Sequence, residues 1–209
     1  MITVVCTGGE NQLPISPCLA WLDASHRTIA ADGGIALLKA LGRKADLWIG
    51  DGDSLGGPLS DWSDWYKEAR LLNKAKDDSD TEAAVRVAAE EGAAEIWLLG
   101  GGGGRMDHWW ANLKLVSAQP ALTRWLTSHE ETWVVGPGKP HPLLPGVVSI
   151  FPLGEGPWKV ASSGLRWPLD RVDFSRWHSL SNEASDGATL TVERGRFLIL
   201  HPWLQGALP

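Results

Sequence analysis

The chain has 209 residues, 44% of them hydrophobic, enough to build a core and to exclude wholesale disorder. Its formal charge is −6, from 25 acids against 19 bases, with no basic stripe, which argues against nucleic acid or an anionic membrane as partner. No apolar run approaches the ~18 residues of a spanning helix. Ile2–Cys6 is too short for a signal core, and Cys6 and Cys18 make no metal-ligand spacing. A cytoplasmic protein without structural zinc or a disulfide framework is expected.

Ile2–Thr7 is an apolar run ended by Gly8-Gly9 and reads as a buried strand. Ser16, with Pro17 in the first turn, is expected to cap a helix to Ala24. Thr28–Ala31 is a second strand; Asp32-Gly33-Gly34 turns it into a helix carrying Ile35, Leu37, Leu38 and Leu41 and closed by Gly42. Leu47–Ile49 is a third strand, running into Gly50-Asp51-Gly52-Asp53-Ser54, and Arg70–Leu72 a fourth. Ser79 or Asp80 opens a helix to Glu91, stopped by Gly92. Glu95–Leu99 is a fifth strand, followed by Gly100–Gly104 and a helix over Met106–Ser117. Alternating strands and helices predict a parallel α/β sheet.

After Pro120 the texture changes. Prolines punctuate short β-rich runs at Thr132–Val135, Val147–Phe151, Leu190–Val192 and Phe197–Leu200, and only Leu122–Ser128 keeps helical periodicity. The expected architecture is therefore an α/β domain with a parallel sheet over residues 1–125, followed by a smaller all-β sandwich domain over 126–209. The aromatic count is skewed, with 13 Trp against 3 Phe and 1 Tyr. Trp48 and Trp97 read as packing, one of Trp109 and Trp110 should face the sheet, and Trp62 and Trp65 are either exposed or cover the site.

Three segments carry candidate chemistry. Asp51 and Asp53 stand two residues apart where a parallel strand should end, the place where open α/β sheets bind ligands. Paired carboxylates suit Mg²⁺ held together with substrate phosphates, although an acidic glycine turn without a role has the same composition. In Lys76-Asp77-Asp78-Ser79-Asp80-Thr81-Glu82, capping accounts for Ser79 or Asp80 and for Glu82, but not for Asp77 and Asp78. Gly100–Gly104 followed by Arg105, Met106, Asp107 and His108 has the strand, glycine run and helix that cradle a phosphate, with Arg105 as a cationic fork. It is not a Walker loop, since no Gly-Lys-Ser/Thr is present. His108 has the ordinary alternative of a packing residue. Ten of the 25 acids fall between Asp46 and Glu82. Three strand ends that bring carboxylates, a phosphate cradle and an arginine together point to a Mg–nucleotide site.

Ala31-Asp32-Gly33-Gly34, Gly50-Asp51-Gly52-Asp53-Ser54, Lys76-Asp77-Asp78-Ser79-Asp80 and Gly103-Gly104-Arg105-Met106-Asp107-His108 with Ala111-Asn112, taken together, resemble the thiamine pyrophosphokinase (thiamine diphosphokinase) family. Ser163-Gly164-Leu165-Arg166-Trp167-Pro168-Leu169 and Leu180-Ser181-Asn182-Glu183 resemble its thiamine-side β domain. The resemblance implies a homodimer that moves a pyrophosphoryl group from ATP to the thiamine hydroxyl with Mg²⁺, by attack on the β-phosphorus and loss of AMP. It implies Asp51, Asp53, Asp77 and Asp80 as metal or phosphate-side carboxylates. Arg105 and Asp107 would line the nucleotide and reaction site, beside Gly103 and Gly104, with Asp32 and Gly33 on the first glycine turn nearby. Asp77 and Asp107 are candidate bases. Trp167 falls where the family stacks an aromatic on thiamine, and Ser181 and Asn182 match a motif close to thiamine across the dimer interface. One departure is Gly52, which stands where the family has an aromatic. The rival readings are a pyrophosphokinase for a hydroxymethyl pterin, a metal-dependent nucleotide hydrolase, and a nucleotide or thiamine diphosphate sensor without turnover.

Overall fold

The computed structural model describes residues 1–9, 12–75 and 77–202, so Lys76 lies outside the described residues. The chain divides into two compact units, one spanning Met1–Ser128 and one beginning at His129.

The first unit contains the strands β1 (Ile2–Thr7), β2 (Arg27–Ala31), β3 (Ala45–Gly50), β4 (Tyr66–Leu71), β5 (Glu95–Leu99) and β6 (Leu122–Leu126). Its helices are α1 (Ile15–Ala24), α2 (Gly34–Ala40), α3 (Asp80–Glu90) and α4 (Met106–Ala118), with a 3-10 helix at Leu59–Trp65. Every strand pairing is parallel, in the order β6-β5-β1-β2-β3-β4. The central strands are buried almost throughout, with Val4, Val5, Ile29, Ile96 and Leu98 fully inaccessible, as expected of a sheet covered on both faces. The edge strand β4 is mostly exposed, which is why its signal in the sequence is weak.

Two local expectations change. The cap of α1 is Pro14 and Ser16 lies inside the first turn, because the helix begins two residues earlier than a Ser16 cap implies, at Ile15. Leu122–Ser128 does not form a helix. Leu122–Leu126 pairs in parallel with β5, Leu98 opposite Trp125 and Leu99 opposite Leu126, and this pairing buries Leu122, Trp125 and Leu126. Sheet burial outweighs the weak helical periodicity of that stretch. At α3 the cap is Ser79. Its hydroxyl accepts from the Glu82 N–H at 3.2 Å, and the Glu82 carboxylate accepts from the Ser79 N–H at 2.8 Å.

The second unit is antiparallel throughout. It contains β7 (Glu130–Val135), β8 (His141–Pro142), β9 (Gly146–Leu153), β10 (Lys159–Leu165), β11 (Ser179–Arg194) and β12 (Arg196–Pro202). The order is β10-β11-β9-β12-β7, with β8 on β11. Val148, Ile150, Val160, Leu190, Val192 and Phe197 form one apolar core, in which Phe174 meets Phe197 edge-on at 5.0 Å. A parallel α/β unit followed by a β-rich unit is the architecture the sequence implies. Among the described residues no helix is long and apolar enough to cross a membrane.

Candidate active site

From β1 the chain builds β2, β3 and β4 on one side, then returns to place β5 on the other. A parallel sheet that reverses in this way leaves a crevice at the carboxyl ends of the two strands flanking the reversal, here β1 and β5. A cleft of about 830 Å³ lies there. Its lining comes from Thr7, Gly8 and Gly9 after β1, Asp32 and Gly33 after β2, Asp51, Asp53 and Ser54 after β3, and Lys74 and Asp78 to Thr81 before and at the start of α3. Gly101, Gly103, Gly104, Arg105, Asp107, His108 and Asn112 complete it from the glycine run and α4.

The carboxylates of Asp32, Asp51 and Asp80 each bring an oxygen within 4.8 Å of the others. Asp32 is 4% exposed and has a φ of 40°, a left-handed conformation that Asp tolerates better than most residues. Its carboxylate accepts the N–H of Gly52 at 3.0 Å and of Ser54 at 3.1 Å, while its carbonyl accepts the Trp48 indole N–H at 3.1 Å. One side chain after β2 thus shapes the loop after β3. A Cβ on Gly50 would sit 2.8 Å from the Asp32 Cβ, so only glycine lets the two strand ends approach this closely. Gly52, at φ 82°, takes a conformation an aromatic would resist, and its N–H is the one given to Asp32.

Of the four carboxylates expected to hold metal, Asp51 and Asp80 belong to this group. Asp53 lines the cleft but is exposed on its own loop, where its carboxylate accepts from the Ser54 hydroxyl at 3.0 Å. Asp77 is exposed two residues ahead of the α3 cap and does not line the cleft; Asp78 does, and it pairs with Arg86. Asp32, expected only to lie nearby, is the third member of the group. Three oxygen donors from three separate chain segments suit a hard divalent cation such as Mg²⁺, because the cation relieves the mutual repulsion of the carboxylates.

Arg105 and Asp107 are both exposed on the cleft and form a bidentate pair, at 3.1 and 2.5 Å. The hydrogen bond from Arg105 holds the Asp107 carboxyl below the usual carboxylate range, and the same contact raises the Arg105 pKa. So paired, Asp107 is a poor base. The glycine run is anchored by side chains: the Trp125 indole donates to the Gly100 carbonyl at 2.7 Å and the Asn112 amide to the Gly101 carbonyl at 3.0 Å. At Gly101, φ is 73°, and a Cβ would lie 2.5 Å from the Asn112 Nδ2. Thr7 and Thr81 share a buried hydroxyl–hydroxyl bond of 2.7 Å that ties the end of β1 to the start of α3. Sequence reasoning missed Lys74 and this threonine pair; a base shortly after a predicted strand was the available signal for Lys74.

In the second unit Trp167 is 51% exposed, and the Arg166 guanidinium carbon lies 4.8 Å from the centre of its ring. Arg166 also bonds the Glu183 carboxylate at 2.8 Å. Ser181 is exposed, with φ at 53°, and its N–H donates to the Ser149 hydroxyl at 2.9 Å. Asn182 is 1% exposed, its amide spent on neighbouring groups. Several of the other tryptophans serve packing. Trp48 and Trp97 are buried, Trp109 meets Trp125 at 6.4 Å in a tilted pair while Trp110 is exposed, and Trp62 and Trp65 flank Lys39 outside the cleft lining.

Comparison with known proteins agrees with this layout. Among curated proteins none matches the chain. Solved structures similar over nearly the whole chain include the following three. The thiamine pyrophosphokinase of Bacillus subtilis is 22% identical with a TM-score of 0.73, covering 96% of this chain and 98% of its own. That of Geobacillus thermodenitrificans is 24% identical with a TM-score of 0.75, covering 97% of each. That of Candida albicans is 13% identical with a TM-score of 0.75, covering 96% of this chain and 89% of its own. The family model for the thiamin pyrophosphokinase vitamin B1 binding domain matches residues 142–197. The model for the thiamin pyrophosphokinase catalytic domain matches residues 19–124, just over half of the chain, and the chain belongs to the thiamin pyrophosphokinase family.

Proposed function

We propose that this chain transfers the terminal pyrophosphoryl group of ATP to the hydroxyl of thiamine, giving thiamine diphosphate and AMP. The observation that carries the reading is the group formed by Asp32, Asp51 and Asp80 at the mouth of a glycine-lined cleft. Phosphoryl-type transfer asks little covalent chemistry of the protein; positioning and charge neutralisation suffice, and the cleft is made of groups that do both.

Asp51 and Asp80, with Asp32 behind them, would hold Mg²⁺, which supplies neutralisation of the phosphate charge when bound. Asp53, on the rim, is near enough in the chain to join through water. Backbone N–H groups of the glycine run that lines the cleft before α4 would receive a phosphate chain, where the helix terminus also favours negative charge. Arg105 is the cationic fork for phosphate oxygens, and Lys74 adds a second positive charge on the lining. Binding phosphate competes with the Arg105–Asp107 pair, so Asp107 becomes more basic when Arg105 turns to substrate. The hydroxyl proton leaves late in a loose transition state, so a weak base is adequate.

The match to a vitamin B1 binding domain supports thiamine over a pterin as acceptor. Trp167, with one face of its ring open, is the platform for a cationic heteroaromatic ring. Ser181, exposed and next in the chain to the Asn182 that bonds the Trp167 backbone, is a polar contact for the acceptor, and a homodimer working in the cytoplasm is part of the same reading. The test is product analysis with Mg-ATP, with and without thiamine. AMP that forms only when thiamine is present supports the proposal. ADP points to an ordinary kinase, AMP without acceptor to a hydrolase, and no product to a sensor.

A further inference from the structure

The ladder between β10 and β11 ends at Leu165 opposite Ala184, followed by one more backbone bond, from the Arg166 N–H to the Glu183 carbonyl at 2.9 Å. Both flanks are irregular, with register shifts between Ser163 and Leu165 and between Ser179 and Asn182. At Trp167 a side chain takes over the part of the next rung. The Asn182 carbonyl oxygen accepts the Trp167 N–H at 3.2 Å, and its amide nitrogen donates to the Trp167 carbonyl at 2.8 Å. The same amide accepts from the Glu183 N–H at 2.8 Å and donates to the Ser179 hydroxyl at 3.1 Å.

A primary amide offers two donors and two lone-pair sites, and here all are used in a side chain that is 1% exposed. Pro168 follows and narrows the backbone of Trp167 to extended conformations. The main chain of Trp167 is therefore held on both its polar groups while its ring stands out in solvent, one face against Arg166. The Asn182 amide is spent on Trp167, Ser179 and Glu183.

We infer that Asn182 is the positioning residue of the Trp167 platform and acts on acceptor binding only through that ring. The inference rests on the reading of Trp167 as the thiamine platform. It is tested by a double-mutant cycle in steady-state kinetics, with Asn182→Ala and Trp167→Ala alone and together, each at varied thiamine and varied ATP. Asn182→Ala is expected to raise the thiamine KM roughly tenfold, the scale of one lost buried bond. It leaves the ATP KM unchanged and adds nothing in the Trp167→Ala background. An equal rise in both backgrounds, or no rise in either, overturns the inference. If Trp167→Ala raises the thiamine KM and Asn182→Ala does not, the platform stands and the clamp falls. If Trp167→Ala itself leaves the thiamine KM unchanged, platform and clamp fall together. Should Asn182→Ala not fold, Asn182→Asp, which keeps the acceptor and loses the donor, is judged by the same cycle.

Discussion

Gly50→Ala perturbs the acidic group without altering its charge. The new Cβ would lie 2.8 Å from the Cβ and Oδ1 of Asp32 and 3.0 Å from its Cα. Carbon atoms in good contact sit about 3.5–4 Å apart, so the overlap is of the order of 0.7 Å. Asp32 has little room to yield, because its N–H is bonded to the Ile49 carbonyl at 2.9 Å and its neighbour Ala31 pairs with Ile49 across the sheet. Overpacking of this kind costs about 1–3 kcal/mol, which lowers the melting temperature of the first unit by roughly 3–10 °C. As Asp32 moves, its carboxylate releases the amides of Gly52 and Ser54, and Asp51 loses its place beside Asp80. Mg²⁺ affinity, read by isothermal titration, should fall at least about tenfold, a loss on the scale of one charge-assisted hydrogen bond. Gly57→Ala is the control, since its Cβ would meet only the Asp61 carboxylate, at an ordinary 3.5 Å. If Gly50→Ala melts and binds Mg²⁺ as Gly57→Ala does, Asp32 is not packed against the loop in the way that shapes the acidic group.

Asp80→Asn removes one charge of the group while keeping its size, and should weaken Mg²⁺ binding and turnover together; unchanged Mg²⁺ affinity would take Asp80 out of the metal assignment. Arg105→Met should raise the ATP KM, leave the thiamine KM unchanged, and let the Asp107 carboxyl titrate in the ordinary range, which carbon NMR reads directly. His201 is buried beside Trp133, and burial lowers its pKa from 6.5 to about 4. Above pH 6.5 both folded and unfolded chains are neutral there; as pH falls through the range down to about 4 the unfolded chain binds a proton the folded one refuses, so stability falls and then levels off. The loss approaches ~3 kcal/mol, and His201→Gln should flatten that part of a denaturation profile; an unaltered slope would place the titration elsewhere.

The centre of the parallel unit was legible because its inner strands are buried along most of their length and read as apolar runs, as in Ile2–Thr7 and Glu95–Leu99, whereas the exposed edge strand β4 and the strand β6 left weaker signals. The loops after those strands were legible for the same reason: glycine and aspartate beyond an apolar run mark a strand's carboxyl end. The weight of Asp32 was harder to read. Its partners Gly52 and Ser54 come from another strand end, and only the β2–β3 register sets them side by side. Asp77 looked equal to Asp80, but the cap at Ser79 divides them, leaving one at the helix start and one in solvent. In the second unit β10 and the first half of β11 were missed. Their serines, glycine and polar residues hide the alternation, and the irregular pairing there displaces a backbone rung onto the side chain of Asn182. A side chain that completes a β-ladder leaves no periodic mark in sequence.

The central claim is transfer of a pyrophosphoryl group as a unit, and positionally labelled ATP tests it most directly. With label at the β- and γ-phosphorus in separate reactions, the account predicts that both labels arrive on thiamine, in step with AMP release and dependent on Mg²⁺. Transfer of the γ-label alone, or recovery of both labels as free pyrophosphate, would contradict it.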